Sequence, residues 1–144
     1  FLDQHWPKKL PFGVIHADVF QDNVFFINDV FSGIIDFYFA CNDYYAYELA
    51  ICINAWCFNS YNKLDIKKAV AILNSYQNYR KLSDKEKKAL PALLRGAAMR
   101  FLLTRLIDII YHSKDAYVEP KDPMEYFNIL HFHQNNNSLH EIAF

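Results

Sequence analysis

The chain has 144 residues, of which 53% are hydrophobic and 22% are charged, and its formal net charge is −1. This composition is typical of a single folded domain and excludes a disordered chain. The balance of 15 basic against 16 acidic residues argues against a large basic surface for nucleic acid. No apolar run reaches the roughly 18 residues that a membrane helix needs.

The first third of the chain predicts three short strands. The apolar runs 13–16 and 24–27 are rich in β-branched and aromatic residues, which favour strands. Residues 28–33 have the Asn, Asp, Ser and Gly of a hairpin connection, and 33–36 predicts a third strand that ends at Asp36. Three such strands form a sheet too small to stand alone, so we expect helices to support it.

The middle of the chain has helical periodicity. Residues 44–58 are apolar nearly all round and predict a buried helix, whereas 64–79 predicts an amphipathic surface helix. Ser83 and Glu86 have the spacing of a capping box that opens another helix. Pro91 is expected to break or restart that helix.

Residues 92–112 are again helical in period, and a last helix follows. Asp122 and Pro123 have the residue types of a helix N-cap and first helical position, ahead of a polar tail, 135–144, that we expect to fray. The predicted fold class is therefore α+β, a mostly helical body that carries a small β-hairpin sheet.

A His-x-Asp motif interrupts the apolar strands. Asp18 is followed five positions later by Asn23, and Asp36 ends the next predicted strand pair. Phosphoryl transfer needs a carboxylate that takes the proton of the attacking hydroxyl, together with oxygen ligands for Mg²⁺. Asp18 suits the first role, and Asn23 and Asp36 suit the second. The alternative is that Asp18 is a turn residue that caps a backbone amide.

The pattern "HADVFQDNVFF", followed by "GIIDF", resembles the aminoglycoside phosphotransferase and choline kinase superfamily. Within it, 35–58, 90–108 and 120–134 resemble the homoserine kinases of bacterial threonine synthesis. The resemblance extends over 12–134 and implies the C-terminal lobe of a protein-kinase-like fold, a transferase that uses ATP and Mg²⁺, and a cytoplasmic location.

The resemblance assigns roles residue by residue. Asp18 would be the catalytic base, and Asn23 and Asp36 would be the metal ligands. His16 would brace the loop, and Asp22 would support it.

The resemblance also implies a nucleotide lobe that this sequence does not contain. The chain has three glycines, none in a G-x-G cluster, and no lysine in a strand-like run. We therefore expect 1–144 to be the C-terminal, catalytic-loop and substrate-binding lobe, without the N-terminal nucleotide lobe, and to be inactive or nearly so alone.

The substrate pocket is less well specified. L-Homoserine has a carboxylate, and Arg100 is its candidate partner. The alternative is that the side chain of Arg100 snorkels to the surface, and the same alternative applies to Arg95 and Arg105 of this helix. Its ammonium group has three candidate partners, Asn42, Asp43 and Glu48. A structural brace is an equal alternative for Glu48.

Other residues have structural interpretations. Cys41, Cys52 and Cys57 predict buried free thiols in a reducing compartment. Tyr38 and Trp56 predict core aromatics, and the spacing of His131 and His133 does not favour a zinc site.

Three functions remain in view. The first is phosphorylation of the hydroxyl of L-homoserine by ATP. The second is a kinase for another small amino alcohol, such as choline or an aminoglycoside. The third is a non-catalytic binding domain whose apolar surface, the one that the absent lobe would cover, causes dimerisation or aggregation. No nucleic acid or membrane partner is expected.

Overall fold

One long helix organises the body of the molecule, because two other helices pack against it. The structure is a computed structural model and describes residues 1–113 and 117–136. The helices are α1 Leu2–His5, α2 Tyr45–Trp56, α3 Ile66–Tyr79, α4 Asp84–Ile110 and α5 Pro123–Asn135. Both α2 and α5 pack on α4. The strands are β1 Phe12–Ile15, β2 Val24–Ile27, β3 Val30–Ile34 and β4 Cys41–Tyr44.

The prediction of one three-stranded sheet is wrong. The strands form two separate antiparallel pairs, β1 with β4 and β2 with β3. After β3 the chain turns through a left-handed residue, Asp36, and a short 3₁₀ turn, Phe37–Phe39. This turn brings Cys41–Tyr44 back beside β1, where Gly13 faces Asp43 in the register. A Cβ atom at Gly13 would overlap the side chain of Tyr45, so a larger residue there would require that side chain to move.

Local signals in the sequence specify the helix starts well. The Ser83 and Glu86 capping box is present at the start of α4, and Asp122 caps α5 with Pro123 at its first position, as predicted. The expected break at Pro91 is wrong, because α4 continues through it. Leu90 and Leu93, on either side of the proline, are buried in the core, and this packing outweighs the hydrogen bond that proline cannot donate.

The core joins the N-terminal strands to the helices. It includes Ile15 from β1, Ile51 from α2, Leu94 from α4 and Ile129 from α5. Within 1–113 and 117–136, no helix combines the length and the apolarity that crossing a bilayer requires.

The cysteines only partly match their prediction. Cys57 is buried and Cys52 half-buried, but Cys41 is exposed at the start of β4. All three thiols are free. Burial raises the pKa of Cys52 to about 12 and that of Cys57 to about 11, so neither forms a thiolate readily.

The β2–β3 hairpin exposes apolar side chains on the surface. Five of its large hydrophobic residues are at least half exposed: Phe25, Phe26, Ile27, Val30 and Phe31. An exposed apolar surface of this kind is typical of a face that another part of a protein covers.

A buried polar cluster ties the three main helices together. His133 of α5 donates from Nε2 to Asn54 Oδ1 at 2.8 Å, and Asn54 Nδ2 donates to the carbonyl oxygen of Leu94 at 3.0 Å. The Arg95 side chain donates to the backbone carbonyl of His133. Burial, with the charge of Arg95 nearby, lowers the pKa of His133 to about 4, so the ring is neutral at neutral pH.

This cluster predicts a loss of stability in mild acid. An unfolded histidine takes up its proton near pH 6.5, whereas folded His133 does so near pH 4. Between these values the unfolded chain binds more protons, so the free energy of unfolding falls as the pH falls, by up to about 3 kcal/mol. Urea unfolding at pH 7 and at pH 4, followed by tryptophan fluorescence, measures this change in the free energy of unfolding.

The control for this measurement is His133→Gln, which keeps a donor for Asn54 and does not titrate. We expect the variant to lose less stability than the wild type over the same pH range. Equal losses in the two proteins would show that His133 is not the group responsible.

Candidate active site

The three oxygen-bearing side chains that the motif singles out face one cavity. Asp18, Asn23 and Asp36 all line a cavity of ≈ 560 Å³, within the size range of small-molecule sites. Its opposite wall is formed by the C-terminal half of α4 and by 118–121, the segment before α5.

The backbone of Ala17 is the fixed point of the loop between β1 and β2. Ala17 is buried and has a left-handed φ of 63°, a conformation that costs a non-glycine residue roughly 1–2 kcal/mol. Its N–H donates to Glu48 Oε2 at 2.8 Å, and its carbonyl oxygen accepts from Arg100 at 2.7 Å. Side chains from α2 and α4 therefore hold both ends of this residue and turn Asp18 toward the cavity.

His16 links the two strand pairs. Its Nε2 donates to the carbonyl oxygen of Ile35 at 2.8 Å, and its Nδ1 accepts from the N–H of Asp18 at 3.2 Å. These partners require the neutral tautomer with the proton on Nε2. The ring also contacts Phe37 edge-on. His16 thus positions Asp18 relative to the segment that carries Asp36.

Asn23 orients the carboxylate of Asp18. Its Nδ2 donates to the backbone oxygen of Asp18 at 2.9 Å and to Asp18 Oδ2 at 3.0 Å. Burial is the main cause of a raised pKa for Asp18; Asp36 raises it further, while Asn23 and Arg100 oppose the shift. A carboxylate with a raised pKa is a stronger base than a solvated one.

The donor atoms that remain suit a hard cation. Both donated bonds use the nitrogen of Asn23, which leaves its amide oxygen available. Asp36 Oδ1 accepts from the N–H of Tyr38 at 3.4 Å, which leaves the other carboxylate oxygen. Within the described residues no three His, Cys, Asp or Glu side chains form a metal site by themselves. An amide and a carboxylate oxygen fit Mg²⁺, which is usually bound by one or two protein ligands, substrate phosphates and water.

The structure adds two basic residues that the sequence interpretation did not select as functional. Lys121 pairs with Asp22, next to Asn23, and this hydrogen bond is the main cause of a lowered pKa for Asp22. Arg105 is 6% exposed and donates to Glu125 at 2.7 Å, so the alternative that its side chain snorkels to the surface is wrong. The same nitrogen of Arg105 also donates to the carbonyl oxygen of Asp122. Together these contacts fix the wall at 118–121.

The candidate substrate residues lie in different places. Arg100 lines the cavity, with its guanidinium group over the ring of Phe101. Asn42 and Asp43 lie on β4 and are not among the residues that line the cavity. Glu48 does not line it either and binds Ala17 from the other side, which matches the structural alternative for this residue.

The two aromatic residues also differ. Trp56 is half-buried and donates to the carbonyl oxygen of Val19 at 2.8 Å, so it supports the loop from α2. Tyr38 is 87% exposed, and its prediction as a core residue is wrong. It lies in the 3₁₀ turn after Asp36.

Comparisons with known proteins show which sequences this chain resembles. Residues 1–84 match the model of the phosphotransferase enzyme family. The chain is similar to the homoserine kinases of Rhodopseudomonas palustris strain HaA2, with 57% identity over 140 residues, and of Parvibaculum lavamentivorans, with 59% over 133 residues. These alignments cover 97% and 92% of this chain but 43% and 41% of the two relatives. The chain thus spans about two fifths of the length of the curated relatives it matches.

The hydrogen bond between Ala17 and Glu48 can be tested by a pair of variants. Glu48→Ala leaves the buried N–H of Ala17 without an acceptor, and we expect a loss of about 1–3 kcal/mol in the free energy of unfolding. Glu48→Gln keeps an acceptor oxygen, and Glu48 Oε1 has no partner to lose among the described residues. We expect Gln to cost less than Ala in urea unfolding. Equal losses would contradict the role of Glu48 as an acceptor.

The contact between Lys121 and Asp22 predicts a pKa change. In Lys121→Ala the pKa of Asp22 should rise toward its ordinary value, because the main cause of its depression is removed. A carboxyl-carbon NMR titration measures this. Lys85→Ala, at an exposed position of α4 outside the cavity, is the matched control and should leave Asp22 unchanged. A normal pKa for Asp22 in the wild type would refute the contact.

Proposed function

The chain belongs to the phosphotransferase enzyme family, and on that basis we propose that it forms the catalytic-loop and substrate-binding part of an ATP-dependent kinase. The acceptor we propose is the side-chain hydroxyl of L-homoserine, which becomes O-phospho-L-homoserine. The observation that carries the proposal is that Asp18, Asn23 and Asp36 line one cavity. The similarity to curated homoserine kinases over 92–97% of the chain supports the choice of substrate.

Asp18 is the proposed base. The substrate hydroxyl would bind at its carboxylate and lose its proton to it as the oxygen attacks the terminal phosphorus of ATP. The bond from that phosphorus to the bridging oxygen breaks, and ADP leaves. The bond from Asn23 fixes one carboxylate oxygen, and the backbone bond to His16 fixes the main chain beneath it. The raised pKa of Asp18 favours the proton transfer.

Asn23 and Asp36 are the proposed ligands of Mg²⁺, through their available oxygen atoms. Mg²⁺ bound at these atoms would neutralise part of the negative charge on the phosphates of ATP. Arg100, which lines the same cavity and is anchored at Ala17, has further N–H groups that suit the carboxylate of the substrate or the transferred phosphoryl group. Asn42 and Asp43, on β4, are not supported as ammonium ligands by their position.

We further propose that 1–144 is the C-terminal lobe of a kinase-like fold and that a nucleotide lobe covers its strand face. The exposed apolar side chains of the β2–β3 hairpin support such a covering. The same surface supports a second candidate, a non-catalytic binding domain that associates with itself. The three free thiols support a reducing compartment, the cytoplasm.

The test of this function uses the protein expressed from its whole coding sequence. We expect ADP release that depends on L-homoserine and is weaker with choline, serine or an aminoglycoside. Asp18→Asn should lower kcat by about 10²- to 10⁴-fold, because the proton acceptor is lost.

Asp84→Asn is the matched control. Asp84 is exposed at the start of α4 and lies outside the cavity. Its activity should equal that of the wild type. Full activity in Asp18→Asn would refute the mechanism, and a preference for choline or an aminoglycoside would refute the substrate.

A further inference from the structure

The charged side chains that line the cavity are mostly engaged by neighbours. Asp22 pairs with Lys121, and Glu119 lies 3.7 Å from His112. Arg105 is held by Glu125 and by the carbonyl oxygen of Asp122. Asp18 and Asp36 each accept a hydrogen bond and belong to the proposed catalytic set.

Asp108 differs from the other carboxylates in this cavity. It lines the cavity, yet within residues 1–113 and 117–136 its side chain has no hydrogen bond and no ion pair. Its side chain is exposed and contributes a carboxyl group to the cavity wall.

The position of Asp108 on α4 gives the cavity a direction. Arg100, Thr104 and Asp108 are spaced four residues apart and all line the cavity, as residues on one helix face do. The side chain of Arg100 donates to Ala17 in the Asp18 loop. Along the axis of α4, the backbone of Asp108 lies about 12 Å beyond that of Arg100. The wall therefore runs from a positive group at the reacting end, past a hydroxyl, to a negative group at the far end.

An amino alcohol matches this direction. Its hydroxyl must be at Asp18, and its ammonium group lies further along the molecule, away from the reacting oxygen. A positive group there meets a carboxyl group that has no hydrogen bond or ion pair to break within the described part of the chain. We propose that Asp108 binds the ammonium group of the substrate and thereby selects amino alcohols over hydroxy acids. This inference rests on the proposed function.

The experiment again uses the protein from its whole coding sequence. L-Homoserine is compared with 4-hydroxybutyrate, which keeps the hydroxyl and the carboxylate but lacks the ammonium group, as a substrate or competitive inhibitor. In Asp108→Asn we expect KM for L-homoserine to rise about 10- to 100-fold, the loss typical of one charge-assisted hydrogen bond. We expect kcat and the KM for ATP to stay within a few-fold of wild type, and 4-hydroxybutyrate to bind as before.

A third ligand and a matched variant sharpen the result. 3-Amino-1-propanol, which keeps the ammonium group but lacks the carboxylate, should bind more weakly to Asp108→Asn than to wild type. Asp84→Asn makes the same change of charge on α4, about 36 Å away along the helix axis. We expect it to leave kcat, both KM values and the binding of the two analogues unchanged.

The outcomes separate the two proposals. If the wild type releases no ADP in response to L-homoserine, the proposed function fails and this inference fails with it. If the wild type is active but Asp108→Asn keeps its KM for L-homoserine, only the inference is overturned. The inference is also overturned if the variant loses affinity for L-homoserine and for 4-hydroxybutyrate equally, because the loss of affinity would then not depend on the ammonium group.

Discussion

The site depends on the backbone of Ala17, whose N–H and carbonyl oxygen are both bound by side chains from helices. A left-handed alanine is unfavourable by itself, and here the bonds to Glu48 and Arg100 offset that cost. Without these two hydrogen bonds, nothing offsets the cost of the left-handed conformation that turns Asp18 toward the cavity. The geometry of the proposed base is therefore set by side chains of α2 and α4 together with His16 and Asn23.

A second constraint connects the loop to the proposed metal ligand. His16 bridges the N–H of Asp18 and the carbonyl oxygen of Ile35, the residue before Asp36. Asp36 is itself left-handed. Ala17 and Asp36 are thus both left-handed and lie on either side of His16. The carboxyl groups of Asp18 and Asp36 line the same cavity. Backbone strain of this kind concentrates where a fold positions functional groups.

The long helix α4 sets the electrostatics of the cavity. Its Arg100 opposes the rise in the pKa of Asp18, while its buried Arg105 fixes the segment that carries Lys121. Because these side chains are spaced along one rigid helix, their order along the cavity is fixed. The same helix packs against both α2 and α5.

The amino-acid sequence by itself determined the local features. The spacing of Asp18 and Asn23, the capping box at Ser83 and the Asp122–Pro123 start all depend on contacts a few residues apart, so their pattern can be read directly. Only the tertiary structure decided the pairing of β1 with β4, the burial of Arg105 and the bond from Glu48 to Ala17. Each of these joins residues more than 15 positions apart, and the stability of a buried charge or strand edge depends on a partner that local spacing does not reveal.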